Sequence, residues 1–180
     1  VPLVGCNSHR LNLARQDYYR DPVRAAIIEK VDNFMKSVRT LKNSSKLRKQ
    51  TQLQPERRNV TRWTSTNRVR LLPFIGQCGF SEDVLQYVPN AVECGLLDSI
   101  LKDDEPFQSA TNALQRSGST MLELNEVRSL FDTLIAKVPS VESRLKADAD
   151  IVQWPDFETA VIKVQSLNEE SLTRAERDAI

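Results

Sequence analysis

Glycine is scarce, at 5 of 180 residues, which leaves few positions for the tight turns of hairpins and argues against a sheet-rich fold. Aromatic residues are thin at 6%. The single histidine, His9, excludes a Ser-His-Asp triad or a His-rich metal site assembled within this chain. The three cysteines, Cys6, Cys78 and Cys94, are odd in number and widely spaced, which argues against a disulfide framework and for a reducing compartment. No apolar run approaches the roughly 20 residues that span a membrane. Glycine-rich phosphate loops are missing, since Gly76-Gln77-Cys78-Gly79 has neither the length nor the lysine of one. No signal peptide is legible, and the chain opens on Val1-Pro2 and stops in a helix-like segment, so it reads as a piece of a longer protein. The glycosylation patterns at Asn43 and Asn59 carry little weight without a secretory route.

What the chain does have is charge, unevenly placed. The net charge of +1 conceals 16 Lys/Arg against 5 Asp/Glu in residues 1–70, and 9 against 19 in residues 71–180. Such polarity fits an anionic partner for the first part, nucleic acid before membrane; the competing reading is an acidic half packed on a basic half.

Hydrophobic spacing predicts a mainly α protein. Asp21-Pro22 is a helix start, an aspartate cap followed by proline in the first turn. Val23, Ile27, Val31, Phe34, Val38 and Leu41 recur every three or four residues, marking an amphipathic helix of about five turns. Residues 42–54 are polar and basic, a short helix or a loop ordered on binding. Ser81 is positioned to cap a helix reaching Val88, and residues 91–101 read as a buried helix ended by Asp103-Asp104-Glu105 and Pro106. Phe107–Arg116 reads as a separate helix. Thr120-Met121-Leu122-Glu123 has capping-box spacing, followed by Leu124, Val127, Phe131, Leu134 and Val138 as a seam for another helix. A helix over 156–167 should turn Phe157, Val161 and Val164 inward, and Thr173–Glu176 is a second capping box.

The most basic part closes with Arg57-Arg58-Asn59-Val60-Thr61-Arg62-Trp63-Thr64-Ser65-Thr66, three arginines and an indole on a polar segment, a combination suited to phosphates and a stacked base. Trp63 is equally readable as a core anchor, because large aromatics are usually buried. Cys6 and His9, at CxxH spacing, are half of a zinc ligand set that Cys78 and Cys94 would have to complete; packing or hydrogen bonding is the competing role. Asp103, Asp104 and Glu105 are adjacent acids of the kind usually solvated at a helix end.

Two stretches carry a resemblance. Cys6-Asn7-Ser8-His9-Arg10-Leu11-Asn12-Leu13 resembles the C-x-x-H-x-L-N-L of hAT-type transposases and their domesticated relatives. Asn59–Thr66 is similar to that family's N-x-T-R-W-x-S-T, and it follows in the same order after a basic amphipathic helix. The likeness covers most of the chain and is firmest over residues 6–66.

The resemblance implies a ribonuclease-H-like core with three metal-binding acids, interrupted by an all-helical insertion. This chain would be the insertion. Residues 1–20 would form the junction with the core, including at most a short strand at Val1–Gly5. Residues 21–180 would be the helical insertion domain, basic to about 70 and acidic over 71–180. Arg57, Arg58, Arg62 and Arg68 would contact transposon-end DNA, Trp63 would stack on a displaced base, and Cys6 and His9 would buttress the junction. The fragment would hold no catalytic acids and no metal. It would not be an enzyme alone, although its parent would use a divalent ion such as Mg. Glu176-Arg177 imitates the family's last catalytic motif, but Asp178-Ala179 replaces its Phe-Ser, so Glu176 is not taken as catalytic. A nuclear location and assembly with further copies through helical surfaces belong to the same expectation. Asn67-Arg68-Val69-Arg70 runs straight into Leu71-Leu72-Pro73, which looks like a local deletion relative to the family. The competing function is a degenerate or domesticated protein-interaction module.

Overall fold

The computed structural model describes residues 5–55, 71–116 and 122–180, and among them every regular element is helical. In chain order these are α1 (Asn7–Arg20), α2 (Pro22–Val38), α3 (Leu41–Arg48), α4 (Glu82–Leu85), α5 (Ala91–Leu114), α6 (Leu124–Lys137), α7 (Glu142–Leu145), α8 (Pro155–Gln165) and α9 (Arg174–Ala179), with short 3-10 turns at Leu72–Gln77, Pro139–Val141 and Glu169–Ser171. The mainly α expectation therefore holds, and Gly5 and Cys6 are not in a strand. Residues Val1–Val4, where the rest of that strand would lie, fall outside the described residues. The chain divides into two compact units, one of Arg20–Asp104 and one combining residues up to Tyr19 with Glu105–Ile180.

The first of these units is built on α2. Asp21 caps it as expected, its Oδ1 accepting from the Val23 and Arg24 N–H groups at 3.1 and 3.2 Å. Ile27, Val31, Phe34 and Val38 are buried on the predicted spacing. The ends of the stripe differ from expectation. Val23 is exposed, and α2 stops at Val38, so that Leu41 opens α3 at 92% exposure instead of closing the stripe. Ser81 occupies the cap of α4 without a side-chain bond, and that helix ends at Leu85, short of Val88.

Helix α5 corrects a second expectation. It runs unbroken from Ala91 to Leu114 through Asp103, Asp104, Glu105 and Pro106. Proline removes a helical N–H and costs about 3 kcal/mol in a helix interior. Burial of Leu97, Ile100, Phe107 and Ala110 on one continuous stripe offsets that cost, and Asp104, at 1% exposure, occupies a position on the same stripe. Asp104 is thus buried, not solvated at a helix end. The N-terminal turns of α5 are less buried than the apolar composition predicts, with Val92 exposed.

In the other unit α6 packs on α8, and α8 on α9. Val127, Phe131, Leu134 and Val138 are buried as the seam predicts, and Pro139 follows the helix end at Lys137. The cap differs from expectation. Thr120 lies outside the described residues, and the helix opens three residues later, with the Glu126 carboxylate accepting from the Glu123 N–H at 2.8 Å. On α8 the expected inward set is displaced: Phe157, Val161 and Val164 are half-buried, while Glu158 and Ala160 are buried. The reason is a buried arginine opposite Glu158, described below.

Helix α8 ends with Leu167 in the left-handed region at φ 54°, and the Asn168 N–H reaches back to the Lys163 carbonyl at 2.9 Å. Glycine favours this position in such a C-terminal turn, because a side chain there costs roughly 1–2 kcal/mol. Leu167 is 91% exposed and loses little packing on removal. Leu167→Gly is therefore expected to stabilise the chain by about 1 kcal/mol, read as a raised thermal midpoint. A lowered midpoint would show that Leu167 does more than occupy the turn.

Candidate nucleic-acid interface

Arg57, Arg58, Arg62, Trp63 and Arg68 lie outside the described residues. The basic surface among the described residues is the segment leading into them. Residues 33–55 contain six Lys/Arg and no Asp or Glu. Lys36 is paired to Asp32 at 3.2 Å, and Lys46 donates to the Gly79 carbonyl. Arg39, Lys42, Arg48 and Lys49 are exposed and have no ion-pair partner among the described residues. Leu47 is fully buried against the rest of its unit, which fixes α3 with Lys42 and Lys49 two turns apart on an outward line. The sequence marks this stretch as basic but points to residues 57–68 for the DNA contacts themselves.

The cation excess of residues 1–70 is not all on the surface. Arg10 and Arg15 are buried, at 3% and 6% exposure. Arg10 instead organises a polar core. Its Nη1 donates to Glu158 Oε2 at 3.2 Å, and Nη2 and Nε donate to the carbonyls of Leu145, Lys146 and Arg144 at 3.4, 3.1 and 3.5 Å. Those carbonyls are at the C-terminal end of α7, where no intrahelical donor remains. Arg128 adds a bond to the Leu145 carbonyl at 2.5 Å and one to Asp132 at 2.6 Å. Both guanidinium carbons sit over the Phe131 ring, at 5.4 and 5.8 Å from its centroid. Burial lowers the Arg10 pKa, Glu158 opposes that shift, and nearby Arg128 adds to it. Asn7, Arg10, Arg128, Phe131 and Glu158 also line a small cleft of about 260 Å³, part of it open to solvent.

Two further acids of the C-terminal part are spent on cations inside their own units. Lys30 donates to Glu93 at 2.6 and 2.8 Å, and Lys163 to Glu176 at 2.7 and 2.8 Å. Each glutamate also closes a reciprocal cap: Glu93 with Asn90 at the start of α5, and Glu176 with Thr173 at the start of α9. The Thr173 box was legible in the sequence; the Asn90 box was hidden behind Pro89. Glu176 is therefore a cap and an ion-pair partner.

Both carboxyls are held below the usual 4.5, first by the lysine bond and then by the backbone N–H of Asn90 or Thr173. A depressed folded pKa gives stability that is fully present above the unfolded value and is lost as pH falls through the folded one. Thermal midpoints are accordingly expected to drop on acidification from about pH 5 downward. Glu176→Gln should flatten part of that drop, while an unchanged profile would mean that this pair contributes nothing.

Cys6 and His9 stand exposed at the start of α1. Cys78 is buried, donates to the Phe74 carbonyl at 3.2 Å, and has its pKa raised by burial against an opposing effect of Lys46, which describes an inert thiol. Cys94 is half-buried. Among the described residues no group of three His, Cys, Asp or Glu could hold a metal ion, and no helix is long and apolar enough to cross a membrane. No protein-family model, no curated protein and no solved structure matches the chain.

Proposed function

We propose that this chain is a DNA-binding helical module, the insertion region of a hAT-like transposase. One observation carries the reading: the acid-free segment 33–55 leaves Arg39, Lys42, Arg48 and Lys49 exposed, with no ion-pair partner among the described residues, immediately before the Arg57–Arg68 cluster. An internal acidic complement accounts for Arg10 and Lys30, which meet Glu158 and Glu93. It does not account for those four. The two motif likenesses, C-x-x-H-x-L-N-L at Cys6–Leu13 and N-x-T-R-W-x-S-T at Asn59–Thr66, support the family assignment. On this reading Arg57, Arg58, Arg62 and Arg68 hold phosphates and Trp63 stacks on an unpaired base. The catalytic acids and their divalent metal belong to a core outside residues 1–180, so the module binds and does not cut. Its place of action is then the nucleus.

The test is duplex and hairpin DNA binding by fluorescence anisotropy across a salt series. With about four phosphates neutralised, affinity should fall about a hundredfold as salt rises fourfold. Trp63→Ala should weaken binding to hairpin or gapped DNA by about 1–3 kcal/mol. Absent or salt-independent binding would instead favour a protein-interaction module. A Trp63→Ala variant that loses stability but keeps affinity would make that indole a core residue.

A further inference from the structure

We infer that the corner between α2 and α3, formed by Arg39, Lys42, Arg48 and Lys49, is a separate phosphate-tracking surface that gives sequence-independent affinity for duplex DNA. The inference rests on the DNA-binding reading but concerns residues outside the 57–68 cluster.

Three observations converge on it. All four side chains are exposed, and none has an ion-pair partner among the described residues. Their 23-residue setting, 33–55, holds no acid that could neutralise them or repel a polyanion. Lysines and arginines at helix C-terminal turns often do no more than complement the helix dipole, and this suffices for Arg39 at the end of α2 and for Arg48 and Lys49 at the end of α3. It fails for Lys42. That residue lies in the first turn of α3, where the dipole favours an acid and disfavours a cation, and that turn carries no acid. The same turn lacks a side-chain cap, because the Thr40 hydroxyl donates back to the Ser37 carbonyl at 3.1 Å. A helix start selected for stability alone would carry neither feature.

The spacing suits a duplex backbone. Lys42 and Lys49 are separated by about 10 Å along the helix axis. Phosphates of one strand advance about 3.4 Å each along a duplex, so the row spans about three of them. Exposed lysines and arginines on one short helix, with serines and asparagine between them, form bonds to phosphate and leave base edges unread.

The test is the triple variant Arg39→Gln/Lys42→Gln/Lys49→Gln in the full chain, against two duplexes of unrelated sequence. The substitutions are on exposed positions, and a thermal melt alongside reports any unfolding. Affinity is expected to fall at least tenfold, equally for both duplexes, and the log–log salt slope to flatten by about 3. The charge-preserving Arg39→Lys/Lys42→Arg/Lys49→Arg variant should bind like the parent. Parent-like affinity and slope in the glutamine variant would overturn the inference and leave the DNA-binding reading to the Arg57–Arg68 cluster and the two motif likenesses alone. Unchanged duplex binding with lost affinity for phosphatidylserine vesicles would overturn it in favour of a lipid surface. If the parent chain itself binds no duplex, the functional reading fails, and the inference fails with it.

Discussion

Glu158→Ala is expected to destabilise the unit containing α1 and α6 to α9 by about 3–5 kcal/mol, because it leaves the Arg10 guanidinium charged and buried without a counter-ion. The two side chains are 4% and 8% exposed, so the pair is largely shielded from water. Arg10 would keep its bonds to the Arg144, Leu145 and Lys146 carbonyls, which are dipoles and not charges. The double variant Arg10→Met/Glu158→Leu should recover most of the loss, since replacing a buried pair with apolar residues of similar volume is often neutral. Any shortfall would measure what Arg10 contributes by closing the end of α7. Urea denaturation of the two single variants and the double variant gives the coupling directly. A loss below 1 kcal/mol for Glu158→Ala would show that the pair is solvated in solution.

Phe131→Ala should cost a comparable 3–5 kcal/mol, through the cavity left in the α6–α8 contact. Phe131 is 1% exposed and has Arg10 and Arg128 over its ring. The leucine variant separates the two contributions. Phe131→Leu keeps much of the apolar volume and removes the aromatic face, so its cost should be nearer 1–2 kcal/mol, the worth of a desolvated cation–π contact plus imperfect packing. A Phe131→Leu loss near zero would mean that the cations gain nothing from the ring. The same urea titrations read this result, with near-ultraviolet circular dichroism following the packing of the aromatic side chains.

Periodic apolar spacing and local capping chemistry were readable without coordinates. Asp21-Pro22 starts a helix, Val127 to Val138 forms a seam, Pro139 follows a helix end, and Thr173 and Glu176 cap each other, all as their local chemistry predicts. These features depend on residues within a few positions of one another. The uneven distribution of cations was equally legible, and with it the basic segment on which the functional proposal rests. Distant partners decided the rest. Pro106 reads as a break, yet α5 continues because buried side chains on both sides of it share one stripe. Glu158 is not in the inward set that apolar spacing picks out on α8, yet it is buried because Arg10, 148 positions earlier, needs a counter-ion. Arg10 belongs to the cation-rich first part of the chain, yet its charge is turned inward onto Glu158 and the end of α7. Local sequence sets where helices begin and which residue types they offer. Whether a charge faces solvent or a buried partner depends on which helices meet, and that long-range pairing has no signature within a single window of sequence.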